Sequence, residues 1–527
     1  MPNTHQLALA MAHRKPSRYT LWLLAWLAGL TIWHLLAGQH AGIELYGDEA
    51  QYWTWSLQPD WGYYSKPPMV AWLIYLGTHL FGDREIGVRS AALLLYPLTA
   101  WVIFLLVRRL FQVQAEPANQ PPERLGGISR LVRQLFQSTP PAEAMAFWAA
   151  LLFATLPMTS LGAWLMTTDA PLLLFWALSL YFTVAALETG RWRDWLLLGV
   201  ALGLGLLSKY SMAFYGLGLV VYVLLSRPRW RLFKDPKPYA AAALALLILI
   251  PNILWNAEHQ FVSFQHTAEI SELNRALFHP DALLEFFVGQ FLVFGPITAA
   301  SLLVLAVRPR GWFGDDRLRL LAVFTLAPLT AFLVLSLLSR AFANWAAFAY
   351  VAGAAFVAAG LLMKGRRAWL IAALTVNLAL GVVVYNFHDI THLLDIQLTR
   401  KTDPYGRVTG FRALGIEVGK RLRERPDTRF LSDDRMLYAL IRYYGRPYSK
   451  GGLYLNLGNR IDNHYALTAD IRKQPKGSFL LVSQHLTDQQ VKERFAEASP
   501  QPAIYLQLYP DFAPLYRVWL VRDYRQQ

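Results

Sequence analysis

Two adjacent acids and a lysine stand out in an aromatic-rich part of the chain. Asp48 and Glu49 follow the first long apolar run, and Lys66 comes later, directly before Pro67 and Pro68. A positioned carboxylate can take a proton from a hydroxyl nucleophile, and a fixed cation can stabilise negative charge on a leaving group. Because neighbouring residues on a helix diverge by about 100°, we expect only one of the two acids to face a given reacting atom.

The same residue types also fit a role without chemistry. The acids and Lys66 can form a solvated ion network at a membrane surface, while the aromatic residues form an interfacial belt. Alternatively, the aromatic rings stack on a sugar or on the first units of a lipid chain. The candidates for such stacking are Tyr52, Trp53, Trp55, Trp61, Tyr63 and Tyr64.

Composition sets the class of protein. The chain has 527 residues, of which 55% are hydrophobic and 16% are charged, and it contains no cysteine. Soluble domains usually carry about 25% charged residues, so a set of ordinary soluble domains is excluded, as is a disulfide scaffold. The net charge of +15 does not indicate nucleic-acid binding, because the basic residues lie in short clusters between apolar runs rather than in one stripe.

The apolar runs predict a polytopic α-helical membrane protein. A spanning helix needs about 20 mainly apolar residues, and the pattern indicates about eleven spans. The pair that meets between Ser208 and Ser211 is either two short helices or one broken helix. The predicted spans are residues 20–38, 86–107, 143–160, 170–187, 194–208, 211–226, 239–255, 283–307, 320–338, 346–362 and 368–386.

The basic residues predict the orientation, because positively charged loops stay in the cytoplasm. With a cytoplasmic N-terminus, most Lys and Arg between the spans fall inside. Merging the pair near Ser208 would place the basic cluster at 227–237 outside, which favours two helices there. An odd number of spans then puts the C-terminal region outside. The basic residues outside are Lys66, Arg84, Arg89, Lys209, Arg275 and Arg340.

Two domains are expected. Residues 1–387 form the membrane region, with a large outside loop at 41–85 whose short apolar stretch, 69–81, lies along the interface. Residues 388–527 form a small extracytoplasmic α/β domain. The linker at 112–141 is predicted to lie inside and to contain a basic amphipathic piece at 128–136. In the C-terminal domain we predict helices at 410–424 and 434–444 and strands at 428–432 and 478–483. A possible hairpin is formed by 503–508 and 515–521.

Several short motifs follow one another in a fixed order along the apolar part of the chain. They are Gly47-Asp-Glu-Ala-Gln-Tyr52, Lys66-Pro-Pro68, Thr168-Asp169-Ala-Pro171, Leu207-Ser-Lys-Tyr210, Leu254-Trp-Asn-Ala-Glu-His259 and Asn344-Trp345. Their order resembles the bacterial protein-mannosyltransferase-like glycosyltransferases, a family of membrane enzymes that use polyprenyl-phosphate-linked sugars. The resemblance covers about residues 20–390 and implies the C-type glycosyltransferase fold, with an active cavity at the outer membrane face.

The resemblance also implies roles for residues. Asp48 is expected to act as the general base of an inverting transfer, with Glu49 and Asp169 as further acids of the cavity. The residues expected to bind the donor phosphate are Lys66, Arg84, Lys209 and Arg340, and those expected to contact sugar or lipid are Tyr52, Trp61, Tyr63, Tyr64 and His259. Asp169 alternatively serves only as an acid at a helix N-terminus. No metal or other cofactor is expected.

The expected function is transfer of a sugar from undecaprenyl phosphate to an envelope acceptor, such as lipid A, lipopolysaccharide or another glycan. The reaction would occur at the periplasmic face of the bacterial inner membrane, among membrane lipids and without nucleic acid. The alternatives are a lipid-linked sugar flippase or transporter, a protein O-glycosyltransferase, and an oligosaccharide polymerase or ligase. Transporters place polar sites near the membrane midplane, whereas here the acids cluster at one surface, which favours catalysis.

Overall fold

The structure is a computed structural model that describes residues 17–112, 142–270, 278–458 and 460–525. Its first part is a bundle of apolar helices, and its last part is a small mixed sheet with helices. Except for Gln112, the predicted linker at 112–141 lies outside the described residues.

The helices of the bundle follow the apolar runs of the sequence. They are α1 (Arg18–His40), α2 (Gly47–Ser56), α3 (Met69–Phe81), α4 (Glu85–Phe111), α5 (Ala142–Thr155), α6 (Pro157–Gly162), α7 (Asp169–Thr189), α8 (Trp192–Ser208), α9 (Phe214–Leu224), α10 (Pro236–Glu258), α11 (Val262–Ile270), α12 (Pro280–Val293), α13 (Pro296–Ala306), α14 (Asp316–Leu338), α15 (Ala349–Met363), α16 (Arg367–Tyr385) and α17 (Phe387–Leu393).

Among the described residues, six helices are long and apolar enough to cross a membrane: α1, α4, α7, α10, α14 and α16. A seventh crossing follows if α12 and α13 count as one span. The apolar helices α3, α5 and α15 are shorter. The helical membrane fold is therefore confirmed, while the number of about eleven crossings stays a prediction.

Two predicted spans are broken, which corrects the expectation of continuous helices. The run at 283–307 is divided into α12 and α13, whose axes differ by 116°. Gly295 between them has a φ of +85°, a conformation that costs glycine little, and Pro296 opens α13 at a position where its missing N–H is tolerated. The run at 143–160 is likewise divided before Pro157, which begins α6.

The chain forms two separate helices around Ser208–Ser211, where the sequence was compatible with either two short helices or one broken helix. Lys209 ends α8 in an extended conformation, and a short 3-10 turn, Tyr210–Ala213, leads into α9. Gly199 allows α8 to pack closely on α10, because a Cβ at this position would lie 2.6 Å from the carbonyl oxygen of Ala241.

Polar contacts divide the bundle into two ends. The site end holds α2, the segment 57–68 and Lys209, and the sheet domain packs on it. The basic end holds the opposite termini of α4, α7 and α8 and the segments 226–237, 308–319 and 364–367. The contacts that define the basic end join Arg109 with Glu188, Arg229 with Asp316, and Lys237 with the ring of Trp192.

The C-terminal domain has a five-stranded sheet in the order β2-β1-β3-β5-β4. Strand β1 runs parallel to β2 and β3, while β5 is antiparallel to β3 and β4. The predicted strands at 428–432 and 478–483 and the hairpin are confirmed, although the hairpin strands are longer. The elements are α18 (Phe411–Arg423), β1 (Thr428–Ser432), α19 (Arg435–Tyr444), β2 (Leu453–Tyr454), α20 (His464–Thr468), β3 (Ser478–Ser483), α21 (Asp488–Arg494), β4 (Phe495–Tyr505) and β5 (Leu515–Tyr524).

The sheet domain is attached to the site end through α19. The Tyr444 hydroxyl donates to Glu85 at 2.6 Å and accepts from the backbone N–H of Leu45 at 2.7 Å. Met436 packs against Gly47, where an added Cβ would lie 2.1 Å from the methionine methyl group. The first turn of α2 therefore rests directly on the C-terminal domain.

Candidate active site

Helix α2 separates the two adjacent acids, as the helical spacing predicts. Glu49 points into the protein, is 1% exposed, and forms a two-pronged ion pair with Arg89 at 2.9 and 3.0 Å. Its oxygens also accept the backbone N–H groups of Tyr46 and Met166, each at 3.0 Å. These bonds occupy the carboxylate, which corrects the expectation that Glu49 takes part in the chemistry directly.

Asp48 is on the other side of α2 and is half-buried. Within the part of the chain that the structure describes, its carboxylate accepts no hydrogen bond and forms no ion pair. The first turn of a helix favours a negative charge because of the free amide groups there. Asp48 is thus an ionisable carboxylate held in place by its helix, with both oxygens available to a ligand.

Asp169 begins α7 and binds Lys209, whose Nζ lies 2.7 Å from Oδ1 of the carboxylate. Both side chains are largely buried, at 14% and 18% exposure. The extended conformation of Lys209 between α8 and the 3-10 turn brings this lysine to α7. The structure therefore joins two residues that the sequence placed in separate motifs.

Lys66 is held in a tight turn at the site end. An isolated bridge pairs it with Tyr63, whose backbone N–H donates to the Lys66 carbonyl at 3.2 Å. Its ammonium group forms no ion pair among the described residues. Burial lowers the pKa of Lys66, and the charges of Lys209 and Arg435 act in the same direction, while Asp48 and Asp169 oppose the shift.

Lys66 and Lys209 line a cavity of about 270 Å³, which we call the lysine hollow. Apart from the two lysines, the wall of the hollow is mostly apolar and contains only a few polar side chains. One of these is Ser211, whose hydroxyl is buried and has no hydrogen-bond partner among the described residues. The lining residues are Ser65, Lys66, Pro67, Lys209, Tyr210, Ser211, Phe214, Thr267, Ile270, Phe332, Leu335 and Trp345.

Two of the predicted aromatic residues lie near these charges. Tyr52 is buried, and its pKa is raised well above the ordinary value by burial and then by the charges of Asp48 and Asp169. The Tyr64 ring lies 5.2 Å from the ring of His266. Burial lowers the pKa of His266 to about 4, with Lys66 acting in the same direction, so this imidazole is neutral at neutral pH.

The other predicted contacts have structural partners. Tyr63 is 1% exposed and stacks on Trp55 with ring centroids 4.7 Å apart, which corrects its assignment as a sugar contact. Trp61 is exposed and packs edge-on against Trp72. His259 stacks on the ring of Trp255 at 4.1 Å, and its Nδ1 is 2.7 Å from the Trp255 carbonyl.

The four cations predicted to share one phosphate site do not all meet. Arg84 is exposed and lines a different cavity, of about 570 Å³, together with Arg412 and Arg446 of the sheet domain. Arg340 is also exposed and does not line the lysine hollow; its guanidinium lies 4.3 Å from the ring of Phe342. Only Lys66 and Lys209 among the four therefore line the lysine hollow.

Arg435 is a charge of the site that sequence reasoning missed. It opens α19 in the sheet domain and donates to the side-chain oxygen of Gln51 at 3.2 Å. Its charge acts on the pKa values of Lys66, Tyr52 and His266. No local motif marks this arginine, because more than three hundred residues separate it from α2.

Within the described ranges, the structure holds no cluster of three or more His, Cys, Asp or Glu side chains with the geometry of a metal site. His388 instead faces Asp403 at 2.9 Å, and His40 faces Asp389 at 2.8 Å.

Comparison with known proteins agrees with this architecture. The family described as dolichyl-phosphate-mannose-protein mannosyltransferase matches residues 65–117 and 125–255. ArnT from Cupriavidus metallidurans has a similar structure, with a TM-score of 0.61 at 14% identity over 94% of this chain and 98% of that chain. The same protein bound to undecaprenyl phosphate gives a TM-score of 0.60 at 15% identity.

Two curated relatives are similar in sequence. The lipid A galacturonosyltransferase RgtD of Rhizobium johnstonii is 29% identical over 326 residues, which are 62% of each chain. An undecaprenyl phosphate-α-4-amino-4-deoxy-L-arabinose arabinosyl transferase of Pseudomonas fluorescens is 29% identical over 194 residues. The matched region thus spans less than two thirds of the length of each relative, namely 62% and 28%.

The fold and the apolar helices define a multi-pass membrane protein with the fold of ArnT. The chain is thus similar in part of its sequence to the dolichyl-phosphate-mannose-protein mannosyltransferase family, and similar in its overall structure to ArnT.

Proposed function

We propose that this chain is an inverting glycosyltransferase that moves a sugar from undecaprenyl phosphate to a lipid A-type acceptor. The observation that carries the proposal is the arrangement at the site end. Among the described residues, the Asp48 carboxylate and the Lys66 ammonium have no partner, and Asp48 is one of the charges that act on the pKa of Lys66. Lys66 and a second lysine, Lys209, line the apolar hollow.

The lysine hollow suits the donor. A polyprenyl phosphate carries its charge at one end of an apolar chain, so it needs cations at one end of an apolar cavity. Lys66 and Lys209 supply the charge, the buried hydroxyl of Ser211 can donate a further hydrogen bond, and Phe214 and Phe332 line the apolar part. In the transfer, the bond between the anomeric carbon and the phosphate oxygen breaks, and the electron pair leaves with the phosphate. Lys66 stabilises that charge.

Asp48 is the proposed general base. The acceptor hydroxyl attacks the anomeric carbon from the face opposite the phosphate, a new carbon–oxygen bond forms, and the hydroxyl proton passes to the Asp48 carboxylate. A single displacement inverts the anomeric centre and needs no covalent intermediate. The half-buried position and the absence of internal partners within the described residues leave both oxygens free for this step.

Two other acids support the site without touching substrate. Glu49 fixes the first turn of α2 through Arg89, and that bond orients Asp48 one residue earlier. Asp169 holds Lys209 at the hollow. Both are positioning residues in this proposal, and Arg435 adds a positive charge that disfavours the ammonium form of Lys66 until a phosphate arrives.

The names of the relatives suggest the acceptor and the location. RgtD is named as a lipid A galacturonosyltransferase, and the Pseudomonas relative is named for its undecaprenyl phosphate-linked donor. We infer that this chain acts in the bacterial inner membrane, with a cytoplasmic N-terminus and its site end at the periplasmic face. The catalytic unit would be residues 1–387 with the outside loop 41–85, covered by a sheet domain of residues 388–527.

The direct test is transfer by the purified full-length protein reconstituted in lipid vesicles. Undecaprenyl-phosphate-linked galacturonic acid or 4-amino-4-deoxyarabinose is supplied with lipid A, and the lipids are analysed by mass spectrometry. A mass gain on lipid A that depends on one donor supports the proposal. Sugar found only on protein would instead favour a protein O-glycosyltransferase, and movement of donor across vesicles without any transfer would favour a flippase.

Asp48→Asn should lower kcat by about 10² to 10⁴, the usual contribution of a general base. Asp389→Asn is the matched control, because Asp389 is an exposed carboxylate that contacts His40 and lies outside the hollow. Equal melting temperatures would show that both variants fold. Normal turnover by Asp48→Asn would reject Asp48 as the base.

A further inference from the structure

Three cations from two separate segments surround one pocket at the basic end. Arg308 follows α13, Lys364 follows α15, and Arg366 precedes α16. The pocket has a volume of about 140 Å³, and we call it the basic-end pocket. The positive φ of Gly365, +66°, allows the tight turn that brings Lys364 and Arg366 to the same cavity.

No acid of the described residues neutralises the positive charge of this pocket. Among the described residues, Arg308, Lys364 and Arg366 form no ion pair, and no carboxylate lines the pocket. Neighbouring arginines of the basic end differ, since Arg229 and Arg319 both bind Asp316. The basic-end pocket therefore keeps its attraction for an external anion.

The wall of the pocket is apolar and faces the surroundings of the bundle. Val304 is 43% exposed and Trp369 is 55% exposed, and both line the pocket beside the cations. Tryptophan at a helix end is typical of the membrane–water interface, where one part of the ring is in lipid and the other meets water. The free amides of the first turn of α16, which begins at Arg367, add partial positive charge nearby.

We propose that the basic-end pocket binds the phosphate headgroup of an anionic glycerophospholipid. The three cations bind the phosphate, and the exposed apolar wall at Val304 and Trp369 contacts the start of the acyl chains. A free inorganic phosphate would use the cations but not the wall. Basic pockets between membrane helices are a recognised form of headgroup site. This proposal does not depend on the glycosyltransferase activity.

The test uses the full-length protein in detergent, titrated separately with phosphatidylglycerol, phosphatidylcholine and inorganic phosphate and observed by native mass spectrometry. The pocket variant carries Arg308→Gln, Lys364→Gln and Arg366→Gln. The control carries Arg227→Gln, Arg231→Gln and Lys234→Gln, three exposed cations of the same end that do not line the pocket and form no ion pair among the described residues.

Wild-type protein should retain phosphatidylglycerol in preference to phosphatidylcholine. The pocket variant should bind phosphatidylglycerol about a hundredfold more weakly, since each cation near a membrane surface contributes about fivefold in affinity. The control should bind as the wild type does. An equal loss in the control, equal binding of both lipids, or binding of inorganic phosphate as tight as that of the lipid would overturn the proposal.

Discussion

Helix α4 carries an arginine near each of its ends, and each arginine pairs with a glutamate from another helix. At the site end, the side chains of Arg89 and Glu49 are 0% and 2% exposed. At the basic end, Arg109 binds Glu188 at 2.7 Å, but these side chains are 27% and 45% exposed. Two arginines of the same helix, each paired with a glutamate, thus have very different surroundings.

Burial changes what an ion pair contributes to the structure. Water and salt can replace either partner at the basic end, so that pair contributes little. Arg89 at the site end has no access to water, and it also donates to the backbone carbonyls of Ile43 and Glu44. The buried pair therefore fixes the segment before α2 against α4, while the exposed pair lies on the surface and contributes little to the packing.

Matched substitutions of the two glutamates should give the largest contrast. Glu49→Gln leaves a buried arginine without its counter-charge and should lower the free energy of unfolding by about 3–5 kcal/mol. Glu188→Gln should change it by about 0–1 kcal/mol. Thermal unfolding of both variants in one detergent measures the difference. Equal destabilisation would mean that burial does not distinguish the two ends.

The next effect concerns cations rather than acids. Lys66→Ala should weaken donor binding by about 10- to 100-fold, because a hydrogen bond to a charged group contributes about 1.5–3 kcal/mol. Removing an exposed basic-end cation, Arg310, should leave donor binding unchanged. Donor saturation curves for Lys66→Ala and Arg310→Ala make the comparison. An unaltered curve for Lys66→Ala would exclude Lys66 from the phosphate site.

The smallest expected effect is a shift in pH dependence. Burial lowers the pKa of Lys66. At low pH the side chain is fully in its ammonium form and donor affinity should be highest. Donor affinity should then fall as the pH rises through the lowered pKa and the ammonium form is lost. Arg435→Gln removes one of the charges that lower this pKa, so the alkaline loss should move to higher pH. Donor affinity measured across alkaline pH tests the shift, and a move to lower pH would contradict it.

Much of the fold could be predicted because it follows from local patterns. Apolar length located the helices, and alternation located β1 and β3 at the observed residues, 428–432 and 478–483. The bend at Gly295 was missed because the run on both sides of it is equally apolar. The Gly-Pro pair at 295–296 was the available signal, since glycine and proline interrupt helices.

The site was only partly predictable, because distant partners decide what each residue does. Helical spacing showed that Asp48 and Glu49 diverge, but Arg89 in α4 determines which acid is buried. Tyr63 belongs to the protein interior because Trp55 covers its ring. The pairing of Asp169 with Lys209 depends on how α7 and α8 pack, which no single motif contains.

The packing of Met436 against Gly47 has a consequence for biosynthesis. Helix α2 is synthesised more than three hundred residues before α19, whose Met436 supports its first turn. During translation the early helices can insert while α2 still lacks that support. The first turn of α2, which carries Asp48, would reach its final packing only after α19 has left the ribosome.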